Sequence, residues 1–386
     1  MSFHRRYATF CFCTLALSLS LGLLLCCPRG EPRSTTASAD SRDASGAPSS
    51  AEVRSAMERG LLWLAKHQEP CGGWAGASGH KRGDGYLVFF DESWQQSRGE
   101  AHPGVTGLAG LAFLAAGHVP GRGSHGGVVE RAVDYMIRCA GGQDYIVDGG
   151  SRMYGHAFAV LFLTQVYGMT LTPDVELSEL LRGATSHIVR SQNRNGGWRY
   201  VPGTEEADLS VTVCQVQALR AARNVGVHVP RVVIDRVIAY VEDSRIEGGP
   251  YAGAFYYKIF GRAARTKTSF AINAAAVTTL HSAGVYNSKR YQGAIDFLLD
   301  SYDDVHREDP GHFAYWYGNY YAVQALRMEG KAVFSKYWQR ISRDLLRMQR
   351  PDGSFHNSVG PGDAFSTAIA CLILAAPLGY LPIYQY

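Results

Sequence analysis

The chain has 386 residues, 46% of them hydrophobic and 19% charged, a balance that excludes a disordered polymer and calls for a large buried core. Its formal net charge of +4 is small for this length, and no Lys and Arg run with interleaved aromatics marks a nucleic-acid face. Nucleic acid is therefore not an expected partner, and length alone leaves one large domain or two ordinary ones.

The chain opens with His4, Arg5 and Arg6 ahead of an uncharged apolar stretch from about Phe10 to Cys27. Residues 1–27 read as a signal peptide or an uncleaved membrane anchor, which implies an exported, periplasmic or extracellular protein, held at the membrane if the segment is retained. Ala37-Ser38-Ala39 is a candidate cleavage site, whereas Leu24 and Leu25 are poor neighbours for a lipidated Cys26 or Cys27. Residues 28–50 are rich in Ser, Ala, Thr, Pro and Arg and read as a flexible linker, so folding is expected from Ala51 to Tyr386. Four of the eight cysteines, Cys71, Cys139, Cys214 and Cys371, fall in that folded part. None is in a CxxC spacing; disulfides are open to them in an oxidising compartment, and mostly buried free thiols are the favoured reading.

From Ala51 onward a two-helix unit recurs. Its first helix is amphipathic, as in Ala51 to His67, where Val53, Met57, Gly60, Leu61 and Leu64 share a face. Its second is apolar nearly all round and rich in small residues, as in Val105 to Ala116, Ser269 to Ala283 and Phe365 to Ala376. The first helices align on Gly60, Ala132, Ala184, Val237, Ala294 and Ile341, which makes six units, with an inserted loop from Ala75 to His102. Gln68, Gln192 and Gln349 stand eight residues after three of these anchors, and Trp74, Trp198 and Phe355 six residues later. Glycines precede the aromatics, in Gly72-Gly73-Trp74, Gly196-Gly197-Trp198 and Gly353-Ser354-Phe355; the fourth unit offers Gly248-Gly249-Pro250-Tyr251 without the glutamine. A glycine able to turn left-handed ends each helix, and the ring packs on the neighbouring unit. Six half-exposed and six buried helices are best satisfied by two concentric rings, so the expected fold is an all-α (α/α)6 double barrel in one domain.

These Gln to Gly-Trp elements, from about Ala51 to the end, resemble the repeat of the squalene and oxidosqualene cyclases and of protein prenyltransferase β-subunits. Tyr380 to Gln385 and Asp208 to Thr212 are similar to segments of exported bacterial repeat proteins of that superfamily. The resemblance implies a toroid that binds an isoprenoid or other lipid in a central cavity. Such cyclases take their proton from an Asp-x-Asp-Asp-Thr segment; in Asp208-Leu209-Ser210-Val211-Thr212 only the first Asp and the Thr match. Serine is far too weak an acid to protonate an alkene, so squalene cyclisation is not expected. The prenyltransferase Asp-x-Cys zinc spacing is absent as well, and no metal or other cofactor is expected.

Polar residues gather where each first helix meets its partner, and in a toroid these junctions share one end. Asp208, Asp363 and His156 are the acid–base candidates there, with helix capping the plain reading of both aspartates. Tyr154, Ser210, Thr212, His312, Tyr315, Trp316 and Tyr317 are the candidate ligand-binding residues, the aromatics suiting an isoprenoid or a carbocation. A non-catalytic extracytoplasmic binding or scaffold protein, or a carbohydrate-active toroid, stands as the alternative.

Overall fold

A computed structural model describes residues 48–77, 79–82, 85–88, 100–148, 150–170, 174–261, 264–304 and 310–384. Residues 1–27, expected to be a signal peptide or anchor, and nearly all of the expected linker lie outside them. The principal helices are α1 (Ser50–Lys66), α2 (Pro103–Ala115), α3 (Gly126–Ala140), α4 (Arg152–Met169), α5 (Val175–Arg190), α6 (Leu209–Asn224), α7 (Arg231–Asp243), α8 (Phe270–Ser282), α9 (Gln292–Asp300), α10 (Phe313–Met328), α11 (Lys331–Met348) and α12 (Asp363–Ala375). Odd-numbered helices bury one face, as α1 does through Val53, Met57, Leu61 and Leu64. Even-numbered helices bury almost every residue, and α2 buries all of them.

Each even-numbered helix packs on the next, and α12 packs back on α2, so the inner ring is closed. An open solenoid would have left one inner face to water. The seam is hydrogen-bonded: Gln349 Nε2 donates to the Ala56 carbonyl at 2.8 Å, and Ala77 N to the Pro361 carbonyl at 3.0 Å. Inner helices approach closely because of their small residues. A Cβ on Gly107 of α2 would stand 2.6 Å from the Phe158 carbonyl oxygen of α4, inside contact distance. The insertion forms two short antiparallel ladders, β1 (Ala75–Gly76) with β4 (Glu100–Ala101) and β2 (Gly79–Arg82) with β3 (Gly85–Val88).

The repeated glutamine, glycine and aromatic form one device, used three times. Gln68 Nε2 donates to the Gly72 carbonyl at 2.8 Å and to the Val128 carbonyl of the next outer helix at 2.9 Å. Gln192 does the same with Gly196 (2.8 Å) and Val233 (2.9 Å), and Gln349 with Gly353 (3.0 Å) and Ala56. One side-chain amide thus satisfies its own turn and the carbonyl of its neighbour. The turn requires glycine: Gly196 has φ 91°, and a Cβ there would collide with the Arg236 carbonyl oxygen. The indoles of Trp74 and Trp198 each donate at 2.8 Å to the outer helix just ended, at Leu64 and Ile188.

The fourth unit departs from expectation. Tyr251 is exposed, and the pinned ring is Phe255, whose N–H donates to Asn273 Oδ1 at 2.9 Å. The four cysteines are free, but only Cys214 and Cys371 are buried; Cys71 is exposed and Cys139 intermediate. Because Trp198 fills a sealed position and holds a hydrogen bond, Trp198→Ala lowers unfolding stability by about 3–5 kcal/mol in denaturant titration. A near-neutral variant would show that the pin contributes little.

Candidate functional site at the mouth of the inner ring

The pins also set how the inner helices are rotated. Thr106, His156, Thr212, Asn273 and Thr367 each accept the backbone N–H of the pinned loop residue, at 2.9 to 3.1 Å, so these side chains face the outer ring. In α10 the corresponding position is Trp316, whose indole donates to the His356 carbonyl in the loop of the sixth unit at 3.1 Å. Two residues earlier on a helix lies about 200° away. That rotation places Gly104, Tyr154, Ser210, Ala271, Ala314 and Phe365, one from each inner helix and all in first turns, on the helix face opposite the pin. They lie at one end of the inner ring.

The ring has a polar and an apolar side. Ala271, Ala314 and Phe365, all partly exposed, come from α8, α10 and α12. Tyr154 and Ser210 come from α4 and α6, with Tyr154 OH donating to Ser210 Oγ at 2.6 Å. Asp208 sits behind them, fully buried, as the N-cap of α6. Its Oδ1 accepts from Val211 N at 2.8 Å and Ser210 Oγ at 2.6 Å; its Oδ2 accepts from Tyr257 OH at 3.1 Å and from the Arg199 guanidinium. An ionised carboxylate offers about four lone-pair sites. All are occupied, leaving none to act on a ligand. Tyr200 and Tyr257 hydroxyls lie 3.1 Å apart, and Tyr317 OH donates to the Ser210 carbonyl at 3.0 Å. Burial raises the Tyr154, Tyr200, Tyr257 and Tyr317 phenols, so they remain protonated donors.

Of the residues singled out in the sequence, Tyr154, Asp208, Ser210 and Tyr317 come together. The others do not. Thr212 is a pin for Trp198, and His156 a pin for Ile146: its Nδ1 accepts from Ile146 N at 3.1 Å while Nε2 donates to the Ala184 carbonyl at 3.1 Å. Burial holds His156 neutral, with its pKa lowered to about 3. Tyr315 and Trp316 follow their helix outward, Tyr315 OH reaching Met348 Sδ at 3.4 Å, since three consecutive helical residues cannot share a face. His312 caps α10 through Nδ1, 3.0 Å from Ala314 N. Asp363 lies apart from Asp208, between Arg350 Nη1 (2.8 Å), His356 Nδ1 (3.2 Å) and Asn357 N (2.9 Å). Arg199, Tyr200 and Tyr257 were not among the candidate site residues, and the Phe255-Tyr256-Tyr257 run reads in sequence as packing. Arg199 and Tyr200 directly follow a pinned Trp198, which was their available signal.

Below the mouth the lumen is bridged, not open. Phe158 of α4 and Tyr320 of α10, on opposite sides of the ring, have centroids 6.0 Å apart. Tyr321 lies 4.8 Å from both Tyr317 and Tyr320, and Tyr320 and Tyr321 are fully buried. Deeper still, Gln217 Nε2 of α6 donates to Gln324 Oε1 of α10 at 2.5 Å. Aromatic rings fill the lumen at this level. Among the described residues, no three His, Cys, Asp or Glu side chains are placed to hold a metal ion, and no helix is long and apolar enough to cross a membrane.

No family model and no curated protein matches the chain. Solved structures do. The α-1,6-mannanase GH76A of Salegentibacter sp. HEL1_6 superposes with a TM-score of 0.60 at 8% identity, over 84% of this chain and 99% of that one. The type II terpene cyclase MstE from Scytonema superposes with a TM-score of 0.55 at 13% identity, over 86% of this chain and 100% of its own. Other structures hold the mannanase with α-1,6-mannotriose and the cyclase with geranylgeranyl dihydroxybenzoate. At such identities the likeness establishes the α/α toroid they share with this chain, and neither substrate.

Two outcomes follow from the pins. Thr212→Val leaves Trp198 N without an acceptor and lowers stability by about 1–3 kcal/mol in chemical denaturation, with ligand binding at the mouth unchanged. His156 is neutral in the fold and has a pKa near the ordinary 6.5 in the unfolded chain. Its contribution is complete above 6.5 and lost by about 1.4 kcal/mol per pH unit as pH falls toward about 3. The acid limb of the stability curve should therefore be shallower by one proton in His156→Gln; an unchanged limb would contradict the assignment.

Proposed function

We propose that the protein binds the end of an amphipathic isoprenoid or other lipid at the mouth of the inner ring. The observation that carries this reading is the division of the mouth. Ala271, Ala314 and Phe365 offer a surface for a hydrocarbon end, while Tyr154 and Ser210, whose hydroxyl protons go to Ser210 and Asp208, face it with oxygen lone pairs that accept. The Phe158–Tyr320 contact stops the ligand at shallow depth, so only part of a long chain is enclosed. The fold shared with a terpene cyclase supports a lipid, although the mannanase uses the same fold for a sugar.

Binding without acid-initiated cyclisation is the reading of the carboxylates. Alkene protonation requires a carboxylic acid with a proton to give. Asp208 is saturated by Arg199, Tyr257, Ser210 and Val211, and Asp363 is ion-paired to Arg350 and hydrogen-bonded by His356 Nδ1 and Asn357 N. Purified protein incubated with squalene should yield no cyclic triterpene by gas chromatography. A cyclic product formed by the parent and lost in Asp363→Asn would overturn this and move the acid to the sixth unit.

The binding claim is tested by extracting purified protein and identifying bound lipid by mass spectrometry. Ala314→Trp should fill the mouth and remove co-purifying lipid while Tm stays near that of the parent. Equal lipid content in parent and variant, or none in either, would count against the proposal.

A further inference from the structure

Hydrogen bonds have a direction, and on the polar side of the mouth each direction is fixed from Asp208 outward. Asp208 is ion-paired with Arg199, so both of its oxygens can only accept. Ser210 therefore gives its single proton to Oδ1 at 2.6 Å, and Tyr257 gives its own to Oδ2 at 3.1 Å. With that proton committed, Ser210 Oγ can only accept from Tyr154 OH, at 2.6 Å. Tyr257, which also accepts from Arg199 Nη1 at 3.3 Å, can likewise only accept from Tyr200 OH, at 3.1 Å.

Two relays, Tyr154 to Ser210 and Tyr200 to Tyr257, thus run inward and end on one carboxylate. Turning either around would bring two protons together at one oxygen or leave Asp208 facing lone pairs. None of these hydroxyls has a proton to offer a ligand, and Tyr154 and Ser210 keep lone pairs. The charges are answered as well. Arg199 faces Asp208 and, at 3.9 Å, Glu206, while Lys258 holds Glu206 at 3.2 Å. Two cations stand against two carboxylates, and none is left over for an ionic ligand.

We propose that the mouth selects its lipid by a neutral hydrogen-bond donor, and that the ligand is an isoprenoid or other long-chain alcohol whose hydroxyl donates to Tyr154 or Ser210. This assignment rests on the reading of the mouth as the lipid site and narrows the class of lipid. An ether or ester end would bring lone pairs to lone pairs. A carboxylate or diphosphate would do the same and add charge that no unpaired cation answers, so its hydration would be lost without return. An ammonium has protons to give, but both carboxylates already hold cations, and it would leave water without a counter-ion. A hydroxyl meets neither objection. Its proton extends the relay that ends on Asp208, and each bond in such a chain polarises the next.

The test is isothermal titration calorimetry of the purified protein with farnesol, its methyl ether and farnesyl diphosphate, which share one hydrocarbon chain and differ at the end. Farnesol should bind about tenfold more tightly than the ether, which lacks the proton, and the diphosphate should bind no better than the ether. In Tyr154→Phe/Ser210→Ala, which removes both acceptors, the advantage of farnesol over the ether should disappear. The comparison of the three ligands in the parent stands by itself if that variant folds poorly. Equal affinity of the parent for farnesol and ether, or a preference for the diphosphate, would overturn the donor requirement; if Ala314→Trp still abolished that binding, the mouth would remain the lipid site. An advantage for farnesol that persists in the double variant would overturn the assignment too. Binding of none of the three, or binding that survives Ala314→Trp, would remove the mouth reading and this inference with it.

Discussion

Six helical hairpins close into a double ring only if the backbone groups freed where each outer helix turns into its inner partner find partners inside the protein. The glutamine amide is the group that meets this requirement. In three units it joins the carbonyl of its own glycine turn to a carbonyl in the first two turns of the next outer helix. It therefore links neighbouring units as well as ending one of them. A buried carbonyl without a donor is costly, which makes the amide hard to replace by an apolar residue of similar size. The aromatic that follows takes its backbone acceptor from the inner helix, and this sets the helix rotation.

Rotation is what connects fold to function. Once Thr212 faces outward to Trp198, Ser210 must lie on the opposite face of its helix, and the same arithmetic places Tyr154, Ala271, Ala314 and Phe365. The mouth is a by-product of the pins, and its chemistry is decided by which residue each unit carries two positions before its pin. Units two and three supply hydroxyls; units four, five and six supply methyl groups and a phenyl ring. Asp208 holds the polar side together by collecting Arg199, Tyr257 and Ser210 on one carboxylate. Its role is to position others.

The repeat, the two helix types and the closed barrel were legible because periodicity of apolar residues reports burial directly. Spacing along a helix was harder to use. Tyr315, Trp316 and Tyr317 look like one aromatic cluster in sequence, yet only Tyr317 reaches the mouth, because each step turns the helix by about 100°. His156 and Thr212 looked like site residues on account of their polarity at a junction. They are pins, and the clue was their equivalence to Thr106 and Thr367 across units. The contribution of Tyr257 was not legible, since it arrives from a long irregular segment between α7 and α8. Nor was the filling of the lumen, because aromatic residues facing an axis can line a space or occupy it, and only the Phe158–Tyr320 distance decides which.

The central claim is that ligand binds above that contact, against the divided ring. A crystal structure of the protein grown with a brominated isoprenoid alcohol tests it most directly, through the position of the anomalous bromine peak. The account predicts a peak beside Ala314 and Phe365, with the alcohol oxygen within hydrogen-bonding distance of Tyr154 or Ser210. A peak below Phe158 and Tyr320, with those rings swung aside, would contradict it.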